Sequence, residues 1–393
     1  MSLLDDIRAT AAELTAWRRD FHAHPEIGRE EKRTSAVVAE KLKSFGLDVH
    51  EGIGGYGVVA VLKGTKGEGR AIGLRADMDA LPLTEETGCA YASQNKGTMH
   101  ACGHDGHMTM LLGAAKWLSQ HRDFAGIVNF IFQPAEEGRG GAEAMLANRL
   151  FERFPCDEIY GMHNQPRAAS GTFVVLPGAA MSGADFFEIT ITGKGAHGSA
   201  PDKSVDPVYA GSLLVQALQQ IVSRNADPAE TTVVSVTKFQ SGFACNVIPE
   251  KAVLGGCTRF FDAQTGKKIW SRIEAVCAGI AATTGADIAV KVVARAPVLT
   301  STPEAVAAMR EAARRVVGSE HVVTEGRPEM ASEDFAFLRQ KVAGGFAFIG
   351  NRNPGSDHVL HSPRFNFDDT VLPLGAAYWA ELALLRLGEI GRA

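Results

Sequence analysis

The stretch FFEITIT (residues 186–192) marks a change of pattern in the chain, and its alternating apolar and polar residues predict a half-buried strand. The residues after it predict a helix, two strands, a second helix and a last strand, at 205–222, 232–239, 252–261, 266–282 and 287–293. This β-α-β-β-α-β order is that of a ferredoxin-like α+β domain. We therefore predict a separate small domain over residues 183–294, which is long enough to form its own core.

The residues on either side of this small domain alternate short apolar strands with helices. Strands are predicted at 56–62, 71–76, 127–132, 159–162 and 346–349, and helices at 34–45, 108–118, 303–317 and 370–387. Such alternation is typical of an α/β sandwich with a mixed, largely parallel sheet. Because 393 residues are too many for one core, we predict a discontinuous α/β domain at 1–182 and 295–393, with the small domain inserted into it.

The composition argues against several functional classes. A net charge of −5 provides no basic surface for nucleic acid. The N-terminus carries Asp5 and Asp6 where a signal peptide would be apolar, and no apolar run reaches the roughly 20 residues of a membrane span. The six cysteines lack the spacing of a disulfide framework, which fits a reducing compartment. We expect a soluble cytoplasmic protein that binds neither nucleic acid nor membranes.

The densest chemical feature of the chain is HACGHDGH (residues 100–107). It places one thiol, three imidazoles and a carboxylate within eight residues, although the whole chain has only six cysteines and twelve histidines. Thiolate and imidazole are ligands that divalent transition metals select. We therefore predict a metal site here. An ordinary loop histidine or a buried thiol is the alternative for each of these residues taken alone.

More residues of metal-binding type follow predicted strands of the larger domain. They are Asp77 and Asp79 in RADMDALP (75–82), Glu136 and Glu137 in QPAEEG (133–138), and His163 in GMHN (161–164). Loops at strand ends are where α/β sheets bind ligands. Because neighbouring loop residues can face different directions, one glutamate can bind metal while the other activates water, which is the minimum for metal-assisted hydrolysis. A solvated acidic pair and a structural histidine are the alternatives.

These motifs make the sequence resemble the M20 metallopeptidase family, and within it the amidohydrolase branch of N-acyl-amino-acid and hippurate hydrolases. The motifs occur in family order: RRDFHAHPE (18–26), RADMDALP (75–82), HACGHDGH (100–107), QPAEEG (133–138), GMHN (161–164), GKGAHGSAP (193–201), NVIP (246–249) and SEDF (332–335). The resemblance implies a catalytic α/β domain with an inserted lid or dimerisation domain. This agrees with the architecture predicted from the residue patterns.

The resemblance also implies roles for individual residues. The implied metal ligands are Cys102, His104, Glu137, His163 and His361. Glu136 falls on the general-base position, and Asp79 on that of a carboxylate that orients a metal-bound imidazole or water. Five ligands suit two divalent ions with a shared bridge, and the candidates are zinc, manganese, cobalt and nickel. Asp77 stands where many M20 peptidases have a histidine ligand, which leaves the number and identity of the ions open. His100 and His107 receive no role.

In the inserted domain the resemblance implies three residues that meet the substrate. His197 matches a histidine that reaches the scissile carbonyl, where an imidazole can stabilise an oxyanion. Asn246 and Arg259 match positions that meet the free carboxylate of the substrate, and a guanidinium is the natural partner of that group. The SEDF segment is expected to line the pocket without an assigned role. A homodimer or homotetramer formed through the inserted domain is also implied.

The predicted function is hydrolysis of the amide bond of N-acyl amino acids, with N-acetyl or hippurate-like N-aroyl groups. A dipeptidase or carboxypeptidase of the same family is the alternative within enzymes, because each needs an anchor for a carboxylate. A non-catalytic protein that binds acylated amino acids is disfavoured by the intact base and ligand set. A redox enzyme that uses Cys102 is disfavoured because a partner cysteine at short spacing and a dinucleotide fingerprint are both missing.

Overall fold

The computed structural model describes residues 2–352 and 359–388. Its helices are α1 (Leu3–Arg8), α2 (Ala11–Ala23), α3 (Lys32–Ser44), α4 (His104–Gln120), α5 (Gly141–Ala147), α6 (Leu150–Arg153), α7 (Pro207–Gln220), α8 (Ala263–Thr284), α9 (Pro303–Val317), α10 (Phe335–Arg339) and α11 (Leu372–Gly388). Its strands are β1 (Asp48–Ile53), β2 (Gly57–Lys63), β3 (Ala71–Asp77), β4 (Ile127–Gln133), β5 (Glu158–Ala169), β6 (Phe173–Val174), β7 (Gly178–Met181), β8 (Gly183–Thr192), β9 (Ala196–His197), β10 (Val233–Ser241), β11 (Val247–Ile248), β12 (Lys251–Phe260), β13 (Asp287–Ala296), β14 (Leu299–Ser301), β15 (Val322–Val323) and β16 (Ala343–Arg352).

The chain divides into two compact units. The larger contains residues up to 180, residues 300–327 and the chain from 334 onward, and the smaller contains 181–299 and 328–333. Residues 328–333 belong to the smaller unit because Ser182 bonds to them. Its backbone N–H donates to the carbonyls of Glu329 and Ala331 at 2.9 and 3.0 Å, and its hydroxyl donates to that of Met330 at 2.7 Å. The sequence pattern instead predicts this segment as part of the larger domain.

The larger unit is built on an eight-stranded sheet in the order β1-β2-β4-β3-β5-β16-β6-β15. The central strands β4, β3, β5 and β16 run parallel, whereas β1 and β2 form an antiparallel edge. This confirms the predicted mixed, largely parallel sheet. The central strands are apolar and buried along most of their length, as parallel strands covered on both faces must be. Their carboxyl ends meet at one edge of the sheet.

Helices α2, α4, α9 and α11 pack around one hydrophobic core with this sheet. The helix α9 has the bounds that the sequence predicts, since Thr302 caps its N-terminus, Pro303 begins it and Gly318 ends it with φ +83°. Among the described residues, one helical segment, Asp369–Gly388, is apolar and long enough to span a membrane by composition. However, 72% of the segment is buried, as is typical of a core helix.

The smaller unit has four antiparallel strands in the order β10-β12-β8-β13 with helices α7 and α8. This is the ferredoxin-like arrangement, and it confirms the fold predicted from residues 186–293. Aspartate side chains cap both helices: Asp206 accepts from two N–H groups of α7, and Asp262 from two of α8. A separate hydrophobic core, with Leu214, Leu254 and Ile273 completely buried, holds this unit together.

Candidate metal centre and substrate-binding residues

The predicted metal ligands of HACGHDGH lie at the carboxyl edge of the large sheet, where α4 begins. Gly103 precedes the helix with φ +95°, and a Cβ atom there would lie 2.5 Å from Oδ1 of Asn164. Only glycine allows both this conformation and this close approach. The sharp turn directs Cys102 and His104 toward the same place, beside His163 at the end of β5.

The five predicted ligands form two groups that share one thiol. Cys102, His104 and His163 make the first group, and Cys102, Glu137 and His361 make the second. The ligand atoms of each group lie within 4.8 Å of one another. Cys102 Sγ is 3.3 Å from His163 Nε2, and His361 Nε2 is 3.1 Å from Glu137 Oε1. Each group offers three ligand atoms of the kinds that bind divalent transition metals, and Cys102 belongs to both groups.

The donor chemistry of the cluster fits divalent transition metals. Both ring nitrogens of His104 and Oε1 of Glu137 are buried, and among the described residues their titratable neighbours at 3.1 to 4.0 Å do not meet hydrogen-bond geometry. Buried polar atoms without a hydrogen bond are costly unless something else binds them. Burial and the nearby charges of Glu137, Glu136 and Asp77 raise the pKa of the Cys102 thiol well above its usual value. A thiolate at this position therefore requires a compensating cation.

The two neighbouring glutamates are held by the backbone of their own loop. Asp79, at 1% exposure, accepts hydrogen bonds from the N–H groups of Glu136 and Glu137, both at 3.0 Å. Asp79 Oδ1 also lies 3.4 Å from His104 Nδ1. The side chain of Glu137 belongs to the group with Cys102 and His361, and a carboxylate oxygen of Glu136 also lies within 4.8 Å of ligand atoms of His104 and Glu137. Oε1 of Glu136 in addition accepts from the backbone N–H of Asp334 at 3.3 Å. Both glutamate side chains thus border the cluster, but only Glu137 belongs to a group that contains Cys102 among the groups named above.

A second layer of polar residues lies behind the ligands. His107 Nδ1 is 2.6 Å from Asp77 Oδ1, and His107 Nε2 is 2.7 Å from Asn164 Oδ1. The ring of His107 packs edge-on against that of His163, with centroids 4.5 Å apart. Although burial opposes it, the charges of His104, His107 and Arg75 hold the pKa of Asp77 well below its usual range. Asp77 is therefore an ionised partner of His107, a role that the sequence did not assign to either residue.

His197 and Asn246 lie together in the smaller unit. They belong to a short antiparallel ribbon in which β9 pairs with β11, with His197 opposite Val247. The N–H of Gly198 donates to the carbonyl of Asn246 at 2.8 Å. The imidazole of His197 is exposed, and its Nδ1 lies 2.7 Å from the hydroxyl of Ser199. A solvent-facing, hydrogen-bonded imidazole of this kind is available to a ligand.

Arg259 lies at the opposite end of the same unit. It is opposite Ala184 near the end of β12, whereas Lys251 at the start of β12 is opposite Thr192, next to the ribbon. Eight residues of extended chain at about 3.3 Å each separate Lys251 from Arg259, so the ribbon and Arg259 are about 25 Å apart. The predicted substrate-binding residues of the smaller unit therefore do not form one site within the chain. The predicted strand over 252–261 implies the same separation, because it places Arg259 near the end of the strand that is farthest from Asn246.

The guanidinium of Arg259 is held by two neighbours. Its Nη1 donates to the hydroxyl of Ser332 at 3.0 Å, and its carbon Cζ lies 5.2 Å from the centre of the Phe186 ring. The ring contact and this hydrogen bond, which are the contacts found among the described residues, orient the group, and a guanidinium has further N–H donors for an anion. Ser332, the first residue of SEDF, thus contacts the predicted carboxylate anchor.

His100 and Glu31 are two further buried residues whose surroundings could not be predicted from the sequence. His100 is 1% exposed and, among the described residues, neither ring nitrogen has a hydrogen-bond partner. Burial lowers its pKa to about 4, so it is a neutral core histidine. Glu31 is completely buried, and its Oε1 accepts from the N–H of Ala135 at 2.7 Å. The 104 residues between these partners explain why no local pattern pointed to Glu31.

The fold and this cluster of thiol, imidazole and carboxylate groups are those of a metallopeptidase-like protein, and sequence comparison identifies the family. Residues 73–385 match Peptidase family M20/M25/M40. The chain belongs to this family, as its motifs had indicated.

Individual relatives match over nearly the whole chain. A hippurate hydrolase of Campylobacter jejuni is 44% identical over 384 residues, which cover 98% of this chain and 99% of that protein. Thermostable carboxypeptidase 1 of Saccharolobus solfataricus is 36% identical, with 98% and 99% covered. A crystal structure of a Bacillus subtilis protein, described as a dinuclear metal-binding peptidase of the M20 family, superposes with a TM-score of 0.84 at 33% identity, with 97% and 99% covered.

Proposed function

We propose that this protein is a metal-dependent amidohydrolase that cleaves N-acyl amino acids, with N-acetyl or hippurate-like N-aroyl groups, to a carboxylate and a free amino acid. The observation that carries the proposal is the pair of candidate ligand groups that share Cys102, with a carboxylate oxygen of Glu136 within 4.8 Å of ligand atoms of His104 and Glu137. The similarity to a hippurate hydrolase over 98% of the chain supports this substrate class.

In this proposal Cys102, His104, Glu137, His163 and His361 hold two divalent ions. Such ions acidify a coordinated water and polarise a carbonyl group. Glu136 accepts a proton from the attacking water and returns it to the departing amine. Asp79 keeps the backbone of both glutamates in place, and the imidazole of His197 stabilises the oxyanion. Arg259 and Asn246 bind the free carboxylate of the substrate.

A panel of substrates tests this function. Purified protein, loaded separately with zinc, manganese, cobalt or nickel, should release free amino acid from hippurate and from N-acetyl amino acids. The C-terminal amides of the same compounds are the matched control and should react poorly, since they lack the anchored carboxylate. Failure to release any amino acid from the panel under all four metals would contradict the proposal.

A carboxypeptidase is the second candidate, and the relative in Saccharolobus solfataricus favours it. Adding unblocked dipeptides and longer peptides to the same panel distinguishes the two. An amidohydrolase should prefer the N-acyl amino acids in kcat/KM, whereas a carboxypeptidase should prefer the peptides. The six cysteines form no disulfide, which supports a reducing compartment such as the cytoplasm.

We further propose that two copies of the chain share their substrate sites through the smaller unit. The ribbon with His197 and Asn246 lies about 25 Å from Arg259 along β12. A substrate the size of two residues spans only about 7 Å. One substrate can therefore meet both ends only if one chain supplies Arg259 and its partner supplies His197 and Asn246. A homodimer is the smallest assembly that allows this, and a homotetramer contains the same pairing.

Mixing two inactive variants is expected to restore activity. In a mixed dimer of His197→Ala and Arg259→Ala chains, one of the two sites receives both intact residues. With random pairing, about a quarter of the wild-type activity should return. The measurement is hippurate hydrolysis after the two tagged variants are dissociated and reassociated, with each variant taken alone through the same treatment as the control. A mixture no more active than the two variants measured separately would show that the sites are not shared.

A further inference from the structure

Three successive backbone N–H groups in the loop of the two glutamates are bound by two buried carboxyl groups. Glu31 accepts from the N–H of Ala135 at 2.7 Å. Asp79 accepts from the N–H groups of Glu136 and Glu137, both at 3.0 Å. Asp79 was expected near the metal ligands, whereas Glu31 comes from a distant part of the chain and has no role in the proposed mechanism. The side chain of Glu31 nevertheless contacts the same loop as Asp79.

The residue that Glu31 binds has an unusual backbone conformation. Ala135 is completely buried and has φ +55°, in the left-handed region that residues other than glycine avoid. Its carbonyl accepts from the N–H of Gly141 at 3.0 Å, so both polar groups of its backbone are fixed. Without a partner for its N–H, Ala135 would gain by returning to negative φ. Such a change rotates the adjoining peptide and redirects the side chains that follow.

The backbone at Glu31 is held firmly, while Oε2 of its side chain is buried without a hydrogen-bond partner among the described residues. It lies at the N-terminus of α3, where Glu26 accepts from the N–H groups of Arg33 and Thr34 at 3.0 and 2.7 Å. The N–H of Ser35 donates to the carbonyl of Glu31 at 2.9 Å. A carboxylate with a fixed backbone and complete burial can transmit its position to the loop that it contacts.

We propose that Glu31 is a positioning residue for the two glutamates of the metal centre. It holds Ala135 in the left-handed conformation, and that conformation sets the directions in which the side chains of Glu136 and Glu137 meet the ligand cluster. The proposal rests on the proposed function for its effect on catalysis, but its effect on metal binding is independent of any substrate. Glu31 touches neither substrate nor metal, and acts only through the backbone of residues 135–137.

Substitutions at Glu31 that keep or remove the acceptor test the proposal. Glu31→Gln keeps an oxygen acceptor and should retain kcat and metal affinity within about threefold. Glu31→Met has a similar size without an acceptor, and should lower kcat by about 10- to 100-fold with KM nearly unchanged. Its affinity for zinc, measured by competition with a chromogenic chelator, should fall by about tenfold. If Glu31→Met does not fold, Glu31→Asp is tested in its place. Its side chain is one methylene shorter, so the carboxyl group lies farther from the N–H of Ala135.

Rescue by glycine separates positioning from a general structural role. Glycine adopts positive φ without strain, so Ala135→Gly added to Glu31→Met should recover kcat and zinc affinity by several-fold. The matched control is Glu158→Gln. Glu158 is also a buried carboxylate, but among the described residues it bonds to Arg386 and Tyr160 and has no hydrogen bond to the loop of the two glutamates. It should lower the melting temperature and leave kcat and zinc affinity unchanged.

Wild-type kcat and zinc affinity in Glu31→Met would overturn the proposal. Equal losses of kcat and zinc affinity in Glu31→Met and Glu158→Gln would also overturn it, if adding Ala135→Gly to Glu31→Met recovered neither quantity. If the wild-type protein hydrolysed none of the panel, the proposed function would fail, and the zinc affinities of these variants would still decide the role of Glu31.

Discussion

Exhaustive removal of divalent metal should abolish the hydrolysis of N-acyl amino acids, and adding back one of the four candidate metals should restore it. The reason is the ligand set, in which one buried thiol, three imidazoles and a carboxylate converge. The measurement combines metal analysis of the chelated protein with turnover before and after metal is returned. Unchanged turnover in protein that is verified to be free of metal would overturn the hydrolytic mechanism.

Because Cys102 belongs to both ligand groups, its removal should affect metal binding differently from the removal of a single histidine. His163 belongs to one ligand group and His361 to the other, whereas Cys102 belongs to both. His163→Ala and His361→Ala should each reduce binding from two ions per chain toward one, and Cys102→Ser should weaken both. His321→Ala is the matched control, because that histidine is exposed and lies outside these groups. A Cys102→Ser protein that bound two ions with unchanged affinity would show that the thiol is not shared.

Much of the fold could be predicted from the sequence because the apolar periodicity is clear in both units. The helix α9 and the strands around residues 186–293 were found within a few residues of their observed bounds. The helix α4 was predicted to begin at Met108 but begins at His104. Its first turn, His104 to His107, carries polar residues and a glycine instead of an apolar stripe, so periodicity alone could not detect its start.

The candidate site was predictable where its residues are close in sequence and not where they are distant. The motif at 100–107 and the pair Glu136 and Glu137 have local patterns with a chemical meaning. The contact of Glu31 with Ala135 joins positions 104 residues apart, and it depends on a positive φ that an alanine does not signal. The bond between Ser332 and Arg259 depends likewise on segment 328–333 packing with the smaller unit. Such contacts arise from tertiary packing and leave no mark on either segment alone.

Glu136→Gln should lower kcat by about 10²- to 10⁴-fold, the usual contribution of general acid–base catalysis. Glutamine keeps the size and one acceptor oxygen but cannot take a proton from water. The metal content and KM for hippurate should remain near the wild-type values, because Glu136 is in neither of the two groups that share Cys102, and the carboxylate anchor is elsewhere. Kinetics and metal analysis on the same preparation measure both quantities. Near-normal kcat would place the base at another residue.

Glu137→Gln should have the opposite signature, although the two residues are adjacent. Glu137 contributes a charged oxygen to the group with Cys102 and His361, so its loss should lower metal affinity by more than about tenfold. Added metal should then recover part of the activity, whereas it should do nothing for Glu136→Gln. Glu143→Gln is the matched control, since this glutamate is exposed at the start of α5 and should change neither quantity. If Glu136→Gln lost its metal while Glu137→Gln kept it, the two roles would be exchanged.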